Sequence, residues 1–139
     1  MKKDSDVKTA LVIFSNLQGA GSAHARTALE IAKELRDAGE DISIIFDGAG
    51  VETAALIAQE DSDLYAAYKA VEDSVLGACA FCVKTYKVAR AIENAGIPLL
   101  TGNHGHSHLQ QLKGWETGYY VLELKDEAQY KQIPACASG

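Results

Sequence analysis

At 139 residues the chain is long enough for one domain with an ordinary core and too short for two. A formal net charge of −6 leaves no basic stripe to neutralise phosphates, which argues against nucleic acid as a partner. No apolar run approaches the ~20 residues of a membrane span, and the first strand-like run is too short for a signal-peptide core and has no cleavage site. Three cysteines without a targeting segment point to a cytoplasmic protein with reduced thiols.

In chain order, residues 9–14 form a continuous β-branched apolar run, as expected of a strand covered on both faces. A glycine-bearing polar loop follows at 15–22. An amphipathic helix is expected at 23–38, with Ala28, Ile31, Ala32 and Leu35 on one face and Gly39 stopping it. The second strand spans 42–46 and ends at Asp47-Gly48. Two short helices follow at 51–59 and 64–73, the second opened by Asp61 or Ser62 as N-cap. The third strand, 75–79, feeds a helix at 82–95 that Gly96 ends, and Pro98 introduces a fourth strand at 97–101. After a Gly/His loop at 102–108 and a short helix, a last strand is expected at 119–124, with a weakly periodic tail at 125–139. This alternation predicts an α/β fold: a single three-layer α/β/α domain over residues 1–139, its core at about 8–124, around a mainly parallel five-stranded sheet. Ligands bind beyond the carboxyl ends of such strands. The loops after the first four strands, 15–24, 47–50, 79–82 and 102–108, would then open on one edge.

The chemistry-bearing residues gather in those loops. Cys79-Ala80-Phe81-Cys82 sits where the third strand hands over to a helix. Such a place stabilises a thiolate through backbone N–H groups and the helix dipole. Two cysteines so spaced also suit a reversible disulfide or half a metal site, and a buried structural pair is the plain alternative. Cys79, at the strand end, is the better nucleophile at the rim; Cys82 would tune or resolve it. Lys84 and Lys87 stand near both in sequence, and Cys136 lies in the tail.

Three of the four histidines fall in Asn103-His104-Gly105-His106-Ser107-His108. Alternating histidines with Cys79 and Cys82 offer a Cys/His set, but the loop lacks the H-x(3–5)-H half of a structural zinc site, and no metal or cofactor is assigned. His106 is the histidine best suited to pair with a thiolate or move a proton, and Ser107 suits an N-cap of the helix bearing Leu109 and Leu112. Gly19-Ala20-Gly21-Ser22-Ala23-His24 begins like a dinucleotide fingerprint, with Asp47 in the place of a ribose-binding acid, but His24 stands where the third glycine belongs. A thioredoxin-like reductase would need a cis-proline facing the cysteines, for which Pro98 alone is available.

Taken together, Gly77-Ala78-Cys79-Ala80-Phe81-Cys82, Ala95-Gly96-Ile97-Pro98-Leu99-Leu100, Gly105-His106-Ser107, Gly118-Tyr119-Tyr120-Val121 and Ile44-Ile45-Phe46-Asp47-Gly48-Ala49-Gly50-Val51 resemble the DsrE/DsrF-like family over residues 8–124. The resemblance implies a small α/β domain forming homotrimers or homohexamers. It also implies, as in sulfur-relay members, a cysteine persulfide carried on the residue matching Cys79, with Cys82 matching the second cysteine of some subfamilies. A sulfur donor protein and an acceptor protein would be the partners. The alternative is an oligomeric binding or scaffold protein whose Cys/His rim is redox-sensitive or metal-binding.

Overall fold

The computed structural model describes residues 8–101 and the strand at 119–124. The chain runs β1 (Lys8–Ile13), α1 (Gly21–Asp37), β2 (Asp41–Phe46), α2 (Gly50–Ile57), α3 (Tyr65–Val71), a single 3-10 turn (Glu72–Ser74), β3 (Val75–Cys79), α4 (Ala80–Thr85), α5 (Ala89–Asn94), β4 (Leu99–Leu100) and β5 (Tyr119–Leu124). The five strands form one sheet in the order β4-β3-β2-β1-β5, and every pairing is parallel. The mainly parallel five-stranded α/β sheet expected from the sequence is thus present, with all carboxyl ends on one edge.

Side-chain alternation divides the sheet into two faces. Leu11 and Ile13 of β1 and Ile42, Ile44 and Phe46 of β2 pack with the buried sides of α1 to α5 in the main core. Tyr68, Phe46, Leu11, Leu29 and Ile44 are its largest fully buried side chains, each stabilising the fold by roughly 1.5–3 kcal/mol on burial. The intervening residues Ala10, Val12 and Ile45, with Leu100, make a smaller buried cluster on the opposite face. Among the described residues all five α-helices pack against the first face. The expected helix after the Gly/His loop and the C-terminal tail lie outside the described residues.

The expected helix at 82–95 is two helices. Ala80–Thr85 ends at Lys87, whose φ is +58°, and α5 restarts at Ala89. Lys87 N–H bonds to the Lys84 carbonyl at 3.2 Å and Val88 N–H to the Val83 carbonyl at 3.1 Å, the two reversed bonds of a Schellman ending. Gly39 and Gly96 close α1 and α5 in the same way, at φ +85° and +73°. At Lys87 the left-handed backbone is held without glycine, and the signal on which a sequence reading of the break depends is missing. Lys87→Gly is therefore expected to stabilise the chain by about 1 kcal/mol, measured as a rise in urea midpoint at unchanged slope.

Smaller differences have local causes. Ser62 does not cap α3; its Oγ accepts the Leu64 N–H at 3.1 Å in a turn ahead of the helix, which starts at Tyr65. The fourth strand keeps only Leu99 and Leu100, because β4 lies at the sheet edge and pairs with Ala78 and Cys79 alone. At Gly77 the sheet packs too closely for any side chain: a Cβ would stand 2.6 Å from the Pro98 carbonyl oxygen and 2.8 Å from Leu100 Cγ.

Candidate functional site

Parallel pairing brings the ends of β2 and β3 side by side, with Phe46 opposite Ala78. The next residue of each strand faces the edge where ligands bind in sheets of this kind: Asp47 after β2 and Cys79 at the end of β3. Asp47 is held there by two contacts. Its N–H donates to the Ile13 carbonyl at 3.0 Å, and its Oδ1 accepts the Gly48 N–H at 2.7 Å.

Cys79 is the N-cap of α4, and its Sγ accepts the Cys82 N–H at 3.4 Å. The sulfur thus occupies the place usually taken by a Ser, Thr or Asp oxygen, receiving the N–H of the third helical residue. This is a local effect. With only six residues in α4, one N–H···S contact replaces the macrodipole that a long helix would supply. Cys82, brought round by the same turn, donates its thiol proton to Asp47 Oδ1 at 3.5 Å. The three ligand atoms, Asp47 carboxylate, Cys79 Sγ and Cys82 Sγ, all lie within 4.8 Å of one another. The two cysteines are not joined in a disulfide.

Burial, and after it the hydrogen bond to and like charge with Cys79, pushes the Cys82 thiol up to about 12; the Asp47 carboxylate adds to the rise and the Gly48 backbone opposes it. Cys82 therefore keeps its proton at neutral pH. Of the two sulfurs, Cys79 is the one that accepts an N–H bond. The raised value in the folded chain makes the thiol's contribution to stability complete below the unfolded value of about 8.5, and lost as pH rises towards about 12. Tyr68, pushed up to about 12 by burial and then by Glu72, acts in the same direction. Urea midpoints are expected to fall steadily above about pH 9, and Cys82→Ser should remove part of that fall and leave the share of Tyr68.

Sequence reasoning placed Cys79 and Cys82 correctly at the strand-to-helix junction. It did not find Asp47 as their neighbour, having read it as an Asp-Gly turn or a ribose-binding acid. The signal was present: Asp47 ends the strand that precedes the cysteine strand. Cys79, read from the sequence as the better nucleophile at the rim, is 0% exposed and Cys82 4% exposed, so both thiols are covered. Between the two cysteines, Ala80 is half-buried and Phe81 is 49% exposed. His106, the other histidines of its loop, and Cys136 lie outside the described residues.

The glycine loop after β1 is folded on itself. Asn16 Oδ1 accepts the Gln18 N–H at 3.0 Å, and its amide donates to the Glu52 carboxylate at 3.2 Å. Gly21 is required because a Cβ would stand 1.8 Å from the Asn16 carbonyl oxygen. A carboxylate against the loop disfavours a phosphate there. A groove of about 500 Å³ between α2 and α5, lined by Glu52, Leu56, Lys87, Val88, Arg90 and Asn94 among others, contains neither thiol.

A parallel α/β sheet with a dithiol and a carboxylate at the carboxyl ends of adjacent strands defines a small thiol-bearing α/β protein. The chain belongs to the DsrE/DsrF-like family, whose model matches residues 8–116. A conserved protein of unknown function from Bacteroides thetaiotaomicron is similar in structure, with a TM-score of 0.59 and 18% identity over 88% of this chain and 99% of that one. At that identity the likeness shows the fold. No curated protein matches the chain. Among the described residues no helix is long and apolar enough to cross a membrane.

Proposed function

We propose that this chain is a small cytoplasmic sulfur carrier of the sulfurtransferase type, holding sulfane sulfur as a persulfide on Cys79. The observation that supports it most is the unequal treatment of the two thiols: Cys79 accepts an N–H bond while Cys82 is held protonated against Asp47. In the first step the Cys79 thiolate attacks the outer sulfur of a donor persulfide. The donor's S–S bond breaks, a new S–S bond forms on Cys79, and the donor leaves as a thiolate. In the second step an acceptor thiolate attacks the outer sulfur of Cys79–S–SH and restores the Cys79 thiolate. Cys82 steadies the charge on Cys79 through its N–H, and His106 assists proton transfer on the acceptor side. Because Cys79 is fully buried, sulfur reaches it by local opening of the α4 turn, a short helix with few buried contacts.

Assembly as a homotrimer or homohexamer belongs to this reading. Phe81 on α4, Tyr86 just after it and Leu99 on the edge strand are large, hydrophobic and exposed, as surfaces covered by a second copy would be. The test is intact-mass analysis of the reduced chain, first with a persulfide donor and then with an acceptor thiol. A gain of one sulfur atom that is lost to the acceptor supports the carrier. A chain that takes up no sulfur while a control sulfurtransferase is modified contradicts it. A second reading, an oligomeric binding or scaffold protein whose thiol pair is structural or redox-sensitive, is favoured by the burial of both cysteines, and the same experiment decides between the two.

A further inference from the structure

We propose that Asp47, Cys79 and Cys82 form a three-ligand site for a thiophilic divalent cation of the zinc class. The inference rests on the placement of the donor atoms and is independent of sulfur transfer. In a tetrahedral site with metal–sulfur bonds of about 2.3 Å and a metal–oxygen bond of about 2.0 Å, neighbouring sulfur and oxygen ligands lie about 3.5 Å apart. Cys82 Sγ and Asp47 Oδ1 are 3.5 Å apart, and Cys79 Sγ lies within 4.8 Å of both. The ion therefore needs side-chain rotations of the cysteines and no movement of the strands.

The donor set selects the ion. Two buried thiols and one carboxylate suit a soft or borderline cation and exclude magnesium and calcium, which require shells of oxygen. Contacts around the ligands already suit the bound form. The Cys82 N–H donates to Cys79 Sγ, which offsets the charge of a metal-bound thiolate, and the Gly48 N–H fixes the carboxylate orientation. On binding, the cation displaces the two thiol protons to solvent and no electron is transferred. Three protein ligands leave the fourth position to water or to an anionic ligand such as a thiolate or hydrosulfide. Cation and persulfide then compete for Cys79, so the metal-bound chain is closed to sulfur uptake.

The test uses the reduced, full-length chain without oxygen, with Co²⁺ alone as the probe. The expected result is a thiolate-to-cobalt charge-transfer absorption that saturates at one ion per chain and is displaced by Zn²⁺. Cys79→Ser and Cys82→Ser should each diminish the band, Asp47→Asn should weaken Kd about ten-fold or more, and Cys136→Ser should leave it unchanged. X-ray absorption of the wild-type zinc complex, which does not depend on how any variant folds, should show two sulfur neighbours at about 2.3 Å. The proposal is overturned by the absence of a saturable band, by a band that depends on Cys136, by an Asp47→Asn chain of unchanged affinity, or by a zinc shell of four sulfurs or of none. Failure of the sulfur-carrier reading leaves the cobalt band in place, and failure of the metal site leaves persulfide uptake in place.

Discussion

Cys79→Ser is expected to abolish sulfur uptake while leaving the fold intact, and Cys82→Ser is expected to retain uptake. The first half follows from the double role of Cys79 in the structure. Its Sγ caps α4 by accepting the Cys82 N–H, and serine is among the best residues for that position. A hydroxyl preserves the capping bond, so the urea midpoint should move by no more than about 1 kcal/mol. It cannot form a persulfide, so the mass gain should vanish completely. The second half follows from the state of Cys82, which is held protonated by burial, by Cys79 and by Asp47. A protonated thiol is not the attacking group. The pair is measured by intact mass after loading, with circular dichroism as the control on folding. Uptake surviving in Cys79→Ser, or lost in a folded Cys82→Ser, would assign the sulfur to the other thiol.

The largest effect on stability is expected at Gly50. A Cβ there would stand 1.8 Å from the Ile13 carbonyl oxygen and 2.6 Å from its carbon, both backbone atoms that cannot turn aside. Alanine must therefore lift the start of α2 from the end of β1. That movement disturbs Asp47, whose N–H donates to the same Ile13 carbonyl. We expect Gly50→Ala to cost about 3 kcal/mol in urea unfolding and to loosen the contact between Asp47 and Cys82. Gly39→Ala provides the comparison. Gly39 has φ +85° with nothing within 4 Å of its Cβ position, so only backbone strain opposes alanine there, at about 1 kcal/mol. Equal losses at both positions would show that close packing at Gly50 is not what requires glycine.

The parts of this fold legible in the sequence are those set by periodicity. The third strand falls at Val75–Cys79 and the last at Tyr119–Leu124, as expected from apolar runs and their flanking breaks, and the strand ends placed Cys79 at the sheet edge. Three features were hidden for separate physical reasons. The break at Lys87 falls between Val83, buried in the core, and Val88, packed against it, and lysine gives no sign of a left-handed turn. Asp47 meets Cys82 across two strands that are 35 residues apart at this contact, a partnership that register creates and spacing does not announce. The closure over Cys79 depends on how the α4 turn and its neighbours pack, which a strand-end position does not determine.

The central claim, that sulfur resides on Cys79, is tested most directly by loading the wild-type chain with isotopically labelled sulfane sulfur and mapping the label by peptide mass spectrometry before and after adding an acceptor thiol. The account predicts label on the peptide bearing Cys79 and Cys82, located to Cys79 by fragmentation, and its departure with the acceptor. Label on Cys82 or Cys136, or label that no acceptor removes, would contradict it.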